Sequence, residues 1–338
     1  MLLDRNTFRE EVFKRDKNKC VICGEKSVDA HHIIERKLWL DGGYYLENGV
    51  SLCEICHIKA EQTLISCEEL REKAGIDKIL LPEHFNFDEK YDKWGNVVLT
   101  NGMRLKGEMF FEEQVQKILK SANLLGLFLN YVKYPRTMHF PWSPNLQNDD
   151  RMMQNTDSFL EKEVVITVKL DGENANMYND RIHARSLETD MHESRSWVRA
   201  LWGNIKHELP DGWRICGENM FAVHSIHYKN LSTYFYVFSI WNEKNECLSW
   251  DETLMWCELL NLNHVPVIFR GIWDEEYVKS IDLSEFNGDN LEGYVCRIVD
   301  KFSYSDYKNV VGKCVRKNHV TTDQHWMKKQ VVKNEIKK

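Results

Sequence analysis

No apolar run in the 338 residues approaches the roughly 20 consecutive residues that a membrane-spanning helix needs. The opening Met1-Leu2-Leu3-Asp4-Arg5 also lacks the charged-then-apolar order of a secretory signal. These absences lead us to expect a soluble chain in an intracellular (cytoplasmic), reducing setting, with no membrane partner. Internal repeats and low-complexity tracts are missing as well. With hydrophobic residues at 43% and aromatics at 12%, that excludes a disordered or fibrous chain, and the length suits about two domains with separate cores. Nor does one sign of charge dominate, since 45 Lys and Arg against 52 Asp and Glu leave a net −7.

The mild total hides an uneven distribution. Residues 308–338 carry nine Lys and Arg against two acids, and residues 5–37 carry nine against six, so a polyanionic partner remains compatible with the acidic balance. The ten cysteines do not form the pattern of a disulfide framework. Four sit in two C-x-x-C pairs, and Cys67, Cys216, Cys247, Cys257, Cys296 and Cys314 are scattered singly, the usage of a reducing compartment with one metal site.

Three stretches differ in texture. Residues 1–62 hold both cysteine pairs and three histidines, which marks a small module built around metal more than around an apolar core. Residues 63–130 read as a connector of uncertain fold, with a turn at Lys90–Asn96 and a helix over Phe110–Lys120 carried by Phe110, Phe111, Val115, Ile118 and Leu119. From residue 131 to 338 β-branched and aromatic runs dominate, at Glu163–Lys169, Tyr234–Trp241, Glu292–Ile298 and Val310–Lys317, and predict a packed sheet domain. Ser249-Trp250-Asp251-Glu252 has the form of a capping box and starts a helix there.

The pairs Cys20-Val21-Ile22-Cys23 and Cys53-Glu54-Ile55-Cys56 each let two sulfurs reach one ion, and together they complete a tetrahedral four-cysteine site for structural zinc. A zinc satisfied by four thiolates has no use for His31, His32 and His57, so these imidazoles imply a second chemistry. The set Cys-x-x-Cys, Asp29-Ala30-His31-His32-Ile33-Ile34, Glu47-Asn48-Gly49-Val50-Ser51-Leu52-Cys53 and Cys56-His57 resembles the HNH endonuclease family and its ββα-metal core. By that resemblance His31 and His57 ligate a catalytic divalent metal, His32 is the general base that activates water, and Asn48 orients the loop. The chemistry is coherent, because a neutral imidazole accepts a proton near neutral pH while a metal stabilises charge on the scissile phosphate.

A second group of motifs follows in order. Lys169-Leu170-Asp171-Gly172-Glu173-Asn174 closes a strand pattern. After it come His183-Ala184-Arg185-Ser186, Cys216-Gly217-Glu218-Asn219, Tyr236-Val237-Phe238-Ser239, Leu291-Glu292-Gly293-Tyr294 and Gly312-Lys313-Cys314-Val315-Arg316-Lys317. This order resembles the covalent nucleotidyltransferases, and the lead-in Lys133-Tyr134-Pro135-Arg136-Thr137 is similar to RNA ligase-like members. The resemblance implies that Lys169 attacks the α-phosphate of ATP, with Asp171 and Gly172 of the same motif at the nucleotide. It likewise implies that Asn174 and Arg185 contact phosphates, Glu218 binds the ribose and Phe238 stacks on adenine. Glu292 would help hold Mg2+ or Mn2+, and Lys313 and Lys317 would neutralise phosphates. A free lysine ionises near pH ~10.4 and needs cationic neighbours or desolvation to become a nucleophile; Lys313, Lys317 and the metal are expected to supply that field.

The expected fold class is α+β, a small zinc-bound ββα-metal HNH module followed by an antiparallel-sheet, RNA ligase-like nucleotidyltransferase domain unrelated to ATP-grasp enzymes. Only 21 residues follow Lys317, too few for the additional OB-fold of DNA ligases and capping enzymes. The expected function is ATP-dependent sealing of a polynucleotide, RNA first and DNA or a hybrid as alternatives, coupled to HNH-type cutting. Two other functions fit the same residues: DNA-break processing by a nuclease and DNA ligase, and nucleic-acid binding by a zinc protein whose ligase half is inactive.

Overall fold

The computed structural model describes residues 1–144, 150–185, 187, 192–282, 285–286, 289–316 and 331–337, and the chain divides into two compact units, Met1–Val132 and Lys133–Lys338. No helix among the described residues is long and apolar enough to cross a membrane. The architecture is mixed α+β with mainly antiparallel sheets.

In the first unit, helix α1 (Arg5–Arg15) starts where the Asp4 carboxylate accepts from the Asn6 and Thr7 amides at 2.9 and 3.1 Å, the usual capping of orphan donors. It buries Phe8 and Val12. Strands β1 (Asp29–His32) and β2 (Gly49–Leu52) pair antiparallel with His31 opposite Val50, and α2 (Glu54–Glu61) follows directly after Cys53. This is the expected ββα arrangement. Then come α3 (Cys67–Ala74), capped by Ser66 and ended by Gly75 at φ 65°, the antiparallel meander β3 (Lys90–Tyr91), β4 (Val97–Val98) and β5 (Arg104–Leu105), and α4 (Glu113–Ser121).

Residues 63–130, read from sequence as a connector, share one apolar core with the ββα elements. Ile33, Ile34, Val50 and Leu52 pack in the same cluster as Leu70, Phe85, Trp94, Val115, Leu119 and Phe128. The turn between β3 and β4 is held from inside. The buried Asp92 carboxylate accepts from the amides of Trp94 and Asn96 and from Asn96 Nδ2, Gly95 takes φ 78°, and Arg104 pairs with Asp92 at 2.9 Å.

The second unit holds two larger sheets. One orders β14 (Val267–Ile272), β7 (Glu163–Lys169), β17 (Gly293–Ile298), β19 (Val311–Val315) and β6 (Met138–His139); β6 alone runs parallel to its neighbour. The other orders β18 (Phe302–Ser303), β12 (Glu246–Cys247), β11 (Phe235–Trp241), β10 (Arg214–Asn219), β8 (Glu173–Met177) and β9 (Ile182–Ala184), with β13 (Asn263–His264) parallel to β11. Helices α5 (Ser196–Ile205), α6 (Trp250–Leu259), α7 (Glu275–Lys279) and α8 (Tyr307–Val310) connect these strands, and β15 (Glu285–Phe286) pairs with β16 (Asp289–Asn290) as a small ribbon. The capping box at Ser249 and Glu252 is complete. Val165 and Val168 of β7 share a core with Met220 and with Tyr236 of β11, so the two sheets pack with apolar residues between them.

Residues 331–337 return across the loop that joins β10 to β11. Asn334 is buried. Its Oδ1 accepts from the Tyr228 amide at 2.8 Å, its Nδ2 donates to the carbonyls of Met220 and Ala222 at 2.8 and 3.2 Å, and its own carbonyl accepts from the Tyr234 hydroxyl at 2.9 Å.

Candidate functional sites

The ββα unit carries two separate clusters. The Sγ atoms of Cys20, Cys23, Cys53 and Cys56 lie within 4.8 Å of one another, with Cys23 and Cys53 at 3.5 Å. A zinc ion bound at ~2.3 Å to four sulfurs in a tetrahedron spaces them by about 3.8 Å, so the thiols fit zinc as they stand. All four are free of disulfides.

The second cluster is His31, His57 and Glu61, again with ligand atoms within 4.8 Å. Adjacent residues on a strand face opposite ways, and this separates the roles of the two neighbouring histidines. His31 turns to α2, its ring 5.0 Å from that of His57. His32 turns the other way, stacked on Phe8 at 4.6 Å and edge-on to Tyr44 at 5.1 Å. Glu61 Oε1 lies 3.4 Å from both His31 Nδ1 and His57 Nε2, and Asp29 is 3.4 Å from His57 Nε2. Glu61 was not among the expected ligands; its signal is the spacing His57-x-x-x-Glu61, which puts both residues on one face of α2.

Electrostatics divide the histidines further. Burial, with Lys93 adding to it, pushes His31 down to about 3, and burial pushes His32 down to about 4. Both imidazoles are therefore neutral at physiological pH, the form that ligates a cation or accepts a proton. Hydrogen bonding to Glu61 holds His57 above the usual histidine range. Among the described residues neither His31 Nε2 nor His32 Nε2 has a hydrogen-bond partner, and buried polar atoms without one call for a ligand or water. Asn48, also buried, accepts from the Ile34 amide at 2.9 Å and donates to the carbonyls of Ile34 and Gly43 at 3.0 and 3.1 Å. It ties the end of β1 to the loop before β2. A divalent cation fits the donor set of two imidazoles and a carboxylate.

In the second unit Lys169 ends β7 opposite Gly293 of β17, and its Nζ meets the buried Glu292 carboxylate at 2.7 Å. Burial works to lower the Lys169 pKa, but the carboxylates of Glu292, Glu218 and Asp171 outweigh it and hold the ammonium above the usual lysine range. The lowering field expected from sequence was that of Lys313, Lys317 and a bound metal together, and Lys317 lies outside the described residues. Three carboxylates converge on Lys169, Glu218 from β10, Glu292 from just before β17 and Asp171 from the turn after β7.

Glu218 sits on β10 opposite Asn174 of β8, and burial raises its carboxyl to about 8, with Glu292 and Asp171 adding to the rise. Its Oε1 accepts from the Gly172 amide at 3.2 Å. A Cβ at residue 172 would lie 2.6 Å from the Asn219 carbonyl oxygen and 2.7 Å from Met220 Sδ, so only glycine lets the turn after Lys169 approach β10. Gly172→Ala is expected to cost the second unit about 1–3 kcal/mol, the range of overpacked sites, seen as a lowered midpoint in calorimetry.

Asp171 is held at its carboxylate and at its amide. Its Oδ2 accepts from the amides of Ser225 and Ile226 at 2.7 Å each, and its own amide donates to the Tyr228 hydroxyl at 3.1 Å. The buried Asn334 holds the Tyr228 amide, so residues 331–337 reach the turn after Lys169 through this loop. Phe238 is half-buried on β11 and packs edge-on to Tyr134 at 5.2 Å, while Arg185 is exposed just past β9. Lys313 stands on β19 opposite His139 of β6, and Asp150 accepts from Lys313 at 3.4 Å and lies 3.1 Å from His139 Nε2. Burial and the Lys169 charge hold Lys313 below the usual lysine range. Lys317 lies outside the described residues, and β19 ends at Val315. Asp150 and Tyr228 carry no signal in the sequence, since each meets its partner only through the fold.

A strand-end lysine beside buried carboxylates, on two packed sheets, and a ββα unit with paired cysteines and histidines define two classes of domain. The RNA ligase family model matches residues 162–315 and the HNH endonuclease family model matches residues 20–63; the chain thus joins a segment that matches the HNH family to one that matches the RNA ligase family. None of the curated proteins compared matches it. Among solved structures it is similar to a Naegleria gruberi RNA ligase mutant with AMP and Mn, at 15% identity over 93% of this chain and 81% of that one, with a TM-score of 0.40. Another Naegleria gruberi RNA ligase mutant, with ATP and Mn, matches at 20% identity over 47% of this chain and 51% of that one, TM-score 0.37. A putative ATP-dependent DNA ligase from Aquifex aeolicus matches at 20% identity over 55% of this chain and 50% of that one, TM-score 0.36. In the last two alignments the chain spans about half the length of the ligase it matches.

Proposed function

We propose that the chain is an ATP-dependent polynucleotide ligase, with RNA as its first substrate, joined to an HNH nuclease. The observation that supports the ligase reading best is Lys169 at the end of β7, 2.7 Å from Glu292 and within the field of Glu218. Lys169 Nζ would form a bond to the α-phosphorus of ATP as the bond to the pyrophosphate oxygen breaks, and the ammonium proton must leave first. A divalent cation, Mg2+ or Mn2+, would offset triphosphate charge when bound, and Glu292 is the carboxylate that would hold it. Lys313 would face the phosphates, Glu218 the ribose, Phe238 the adenine, and Asn174 and Arg185 the phosphates of nucleotide or substrate. Lys317 has the same expected role as Lys313. AMP would then pass to a 5′-phosphate, and a 3′-hydroxyl would displace it to seal the strand.

In the HNH module His31, His57 and Glu61 would hold the divalent metal, which supplies charge stabilisation at the scissile phosphate when bound. His32, neutral and on the opposite face of β1, would take the proton of the attacking water. Cutting that leaves a 3′-hydroxyl and a 5′-phosphate gives the ends a ligase joins.

Sealing of nicked RNA, DNA and hybrid duplexes by the full chain with ATP and Mg2+ tests the ligase reading. RNA nicks are expected to close fastest. Exclusive sealing of DNA would replace this reading by DNA-break processing, and no sealing of any of them would leave the zinc-dependent binding reading. For the nuclease half, His32→Ala is expected to lower metal-dependent strand cleavage by about 10²–10⁴-fold, the scale of general-base catalysis, with zinc content unchanged. Cleavage at the wild-type rate would remove His32 from the mechanism.

A further inference from the structure

The carboxylate of Glu61 is shared between the histidines and a cation that comes from outside the matched HNH segment. Lys93, in the turn between β3 and β4, is almost wholly buried. Its Nζ lies 3.2 Å from Glu61 Oε1 and 3.3 Å from Glu35 Oε2, and donates to the His32 carbonyl at 3.1 Å. The next residue grips the same point, Trp94 Nε1 donating to the Glu61 carbonyl at 2.9 Å, and the Lys93 carbonyl accepts from the Glu35 amide at 2.9 Å. Asp92 fixes this turn through its bonds to Trp94, Asn96 and Arg104. The ammonium therefore cannot swing to solvent, and it stands against the same carboxylate oxygen that lies 3.4 Å from both His31 and His57.

We propose that Lys93 is a resident countercharge of the His31–His57–Glu61 cluster, competing with a divalent cation for Glu61 and so setting how tightly the site holds metal. The inference rests on the nuclease reading of that cluster. Two charges of like sign a few ångströms apart repel strongly where water is excluded, so a metal at Glu61 and the ammonium of Lys93 oppose each other. Glu35 and the His32 carbonyl give Lys93 a second seat that keeps it inside when the cation binds. Through the same contacts Lys93 is a positioning residue for the strand that carries His32. Loss of Lys93 thus has opposite effects on binding and on chemistry, which a merely structural lysine would not produce.

The test is a titration of the zinc-loaded full chain with Mn2+, with free Mn2+ read by electron paramagnetic resonance and the site defined as the component that His57→Ala removes. Lys93→Met is expected to tighten this component about tenfold or more while slowing metal-dependent strand cleavage. Glu35→Gln, which among the described residues leaves Glu61 as the carboxylate partner of Lys93, is expected to weaken it, and this arm stands even if Lys93→Met does not fold. A Mn2+ component that Lys93→Met leaves unchanged or weakens, or that Glu35→Gln leaves unchanged or tightens, overturns the inference alone. Absence of any His57-dependent Mn2+ component in the wild type overturns the nuclease reading and this inference with it.

Discussion

Wild-type protein incubated with Mg2+ and α-labelled ATP, then denatured and run on a gel, is expected to carry label on the polypeptide, and Lys169→Ala is expected to carry none. The effect is all or none because one nitrogen forms the bond. Among the described residues Lys313 is the other lysine proposed to face the nucleotide, and it is engaged with Asp150 of the segment between β6 and β7. Lys169 is held as an ammonium against Glu292, so the wild-type reaction is also expected to speed up as pH rises from neutral. Label retained in Lys169→Ala would move the nucleophile elsewhere. No label on folded wild-type protein, shown free of bound AMP beforehand, would make the ligase motifs a relic.

The second large effect is expected in Cys53→Ala. Cys53 immediately precedes α2 and shares the four-thiol cluster with Cys20, Cys23 and Cys56. A structural zinc site contributes about 10–16 kcal/mol in small zinc modules, comparable with or larger than the ~5–15 kcal/mol that keeps a typical domain folded. Losing the ion should therefore unfold its surroundings. Because Cys20 and Cys56 lie in the same apolar cluster as Trp94, Val115 and Phe128, unfolding should extend over Met1–Val132 and not stop at residue 62. Zinc content should fall to background, and amide exchange should become rapid across residues 1–132 with protection kept in the second unit. Protection that survives zinc loss would show that the apolar core of 63–132 holds the unit by itself.

Local patterns in the sequence carried much of this fold. The run Glu163–Lys169 is β7 to the residue, and Ser249 with Glu252 forms the capping box that their spacing promised. The helix expected over Phe110–Lys120 begins three residues later, because Met109, Phe110 and Phe111 enter through turns before α4 starts. Strand ends at Tyr234, Glu292 and Val310 shift by one residue, the usual fraying of boundaries. Residues 63–130 were not legible as part of a domain: their strands are two residues long, too short for periodicity, and their core partners lie far away in sequence. The candidate sites were legible as residue types and not as electrostatics. The motifs singled out Lys169 and His31 as candidates, but the charge of Lys169 depends on carboxylates from three separate elements, and the pairing of Glu61 with Lys93 depends on a turn 32 residues away.

The return of residues 331–337 over the loop between β10 and β11 bears on how the protein is made. Every motif of the nucleotide site, through Lys317, is translated before Asn334, and until then the loop that fastens Asp171 lacks the four hydrogen bonds of Asn334 to Tyr228, Met220, Ala222 and Tyr234. The nascent chain thus carries a full set of reactive groups on an unfinished scaffold. A polypeptide that stops before residue 334 would carry Lys169 and Asp171 but not the Asn334 bonds behind the loop of Ser225, Ile226 and Tyr228, and is expected to hold the turn after Lys169 less firmly.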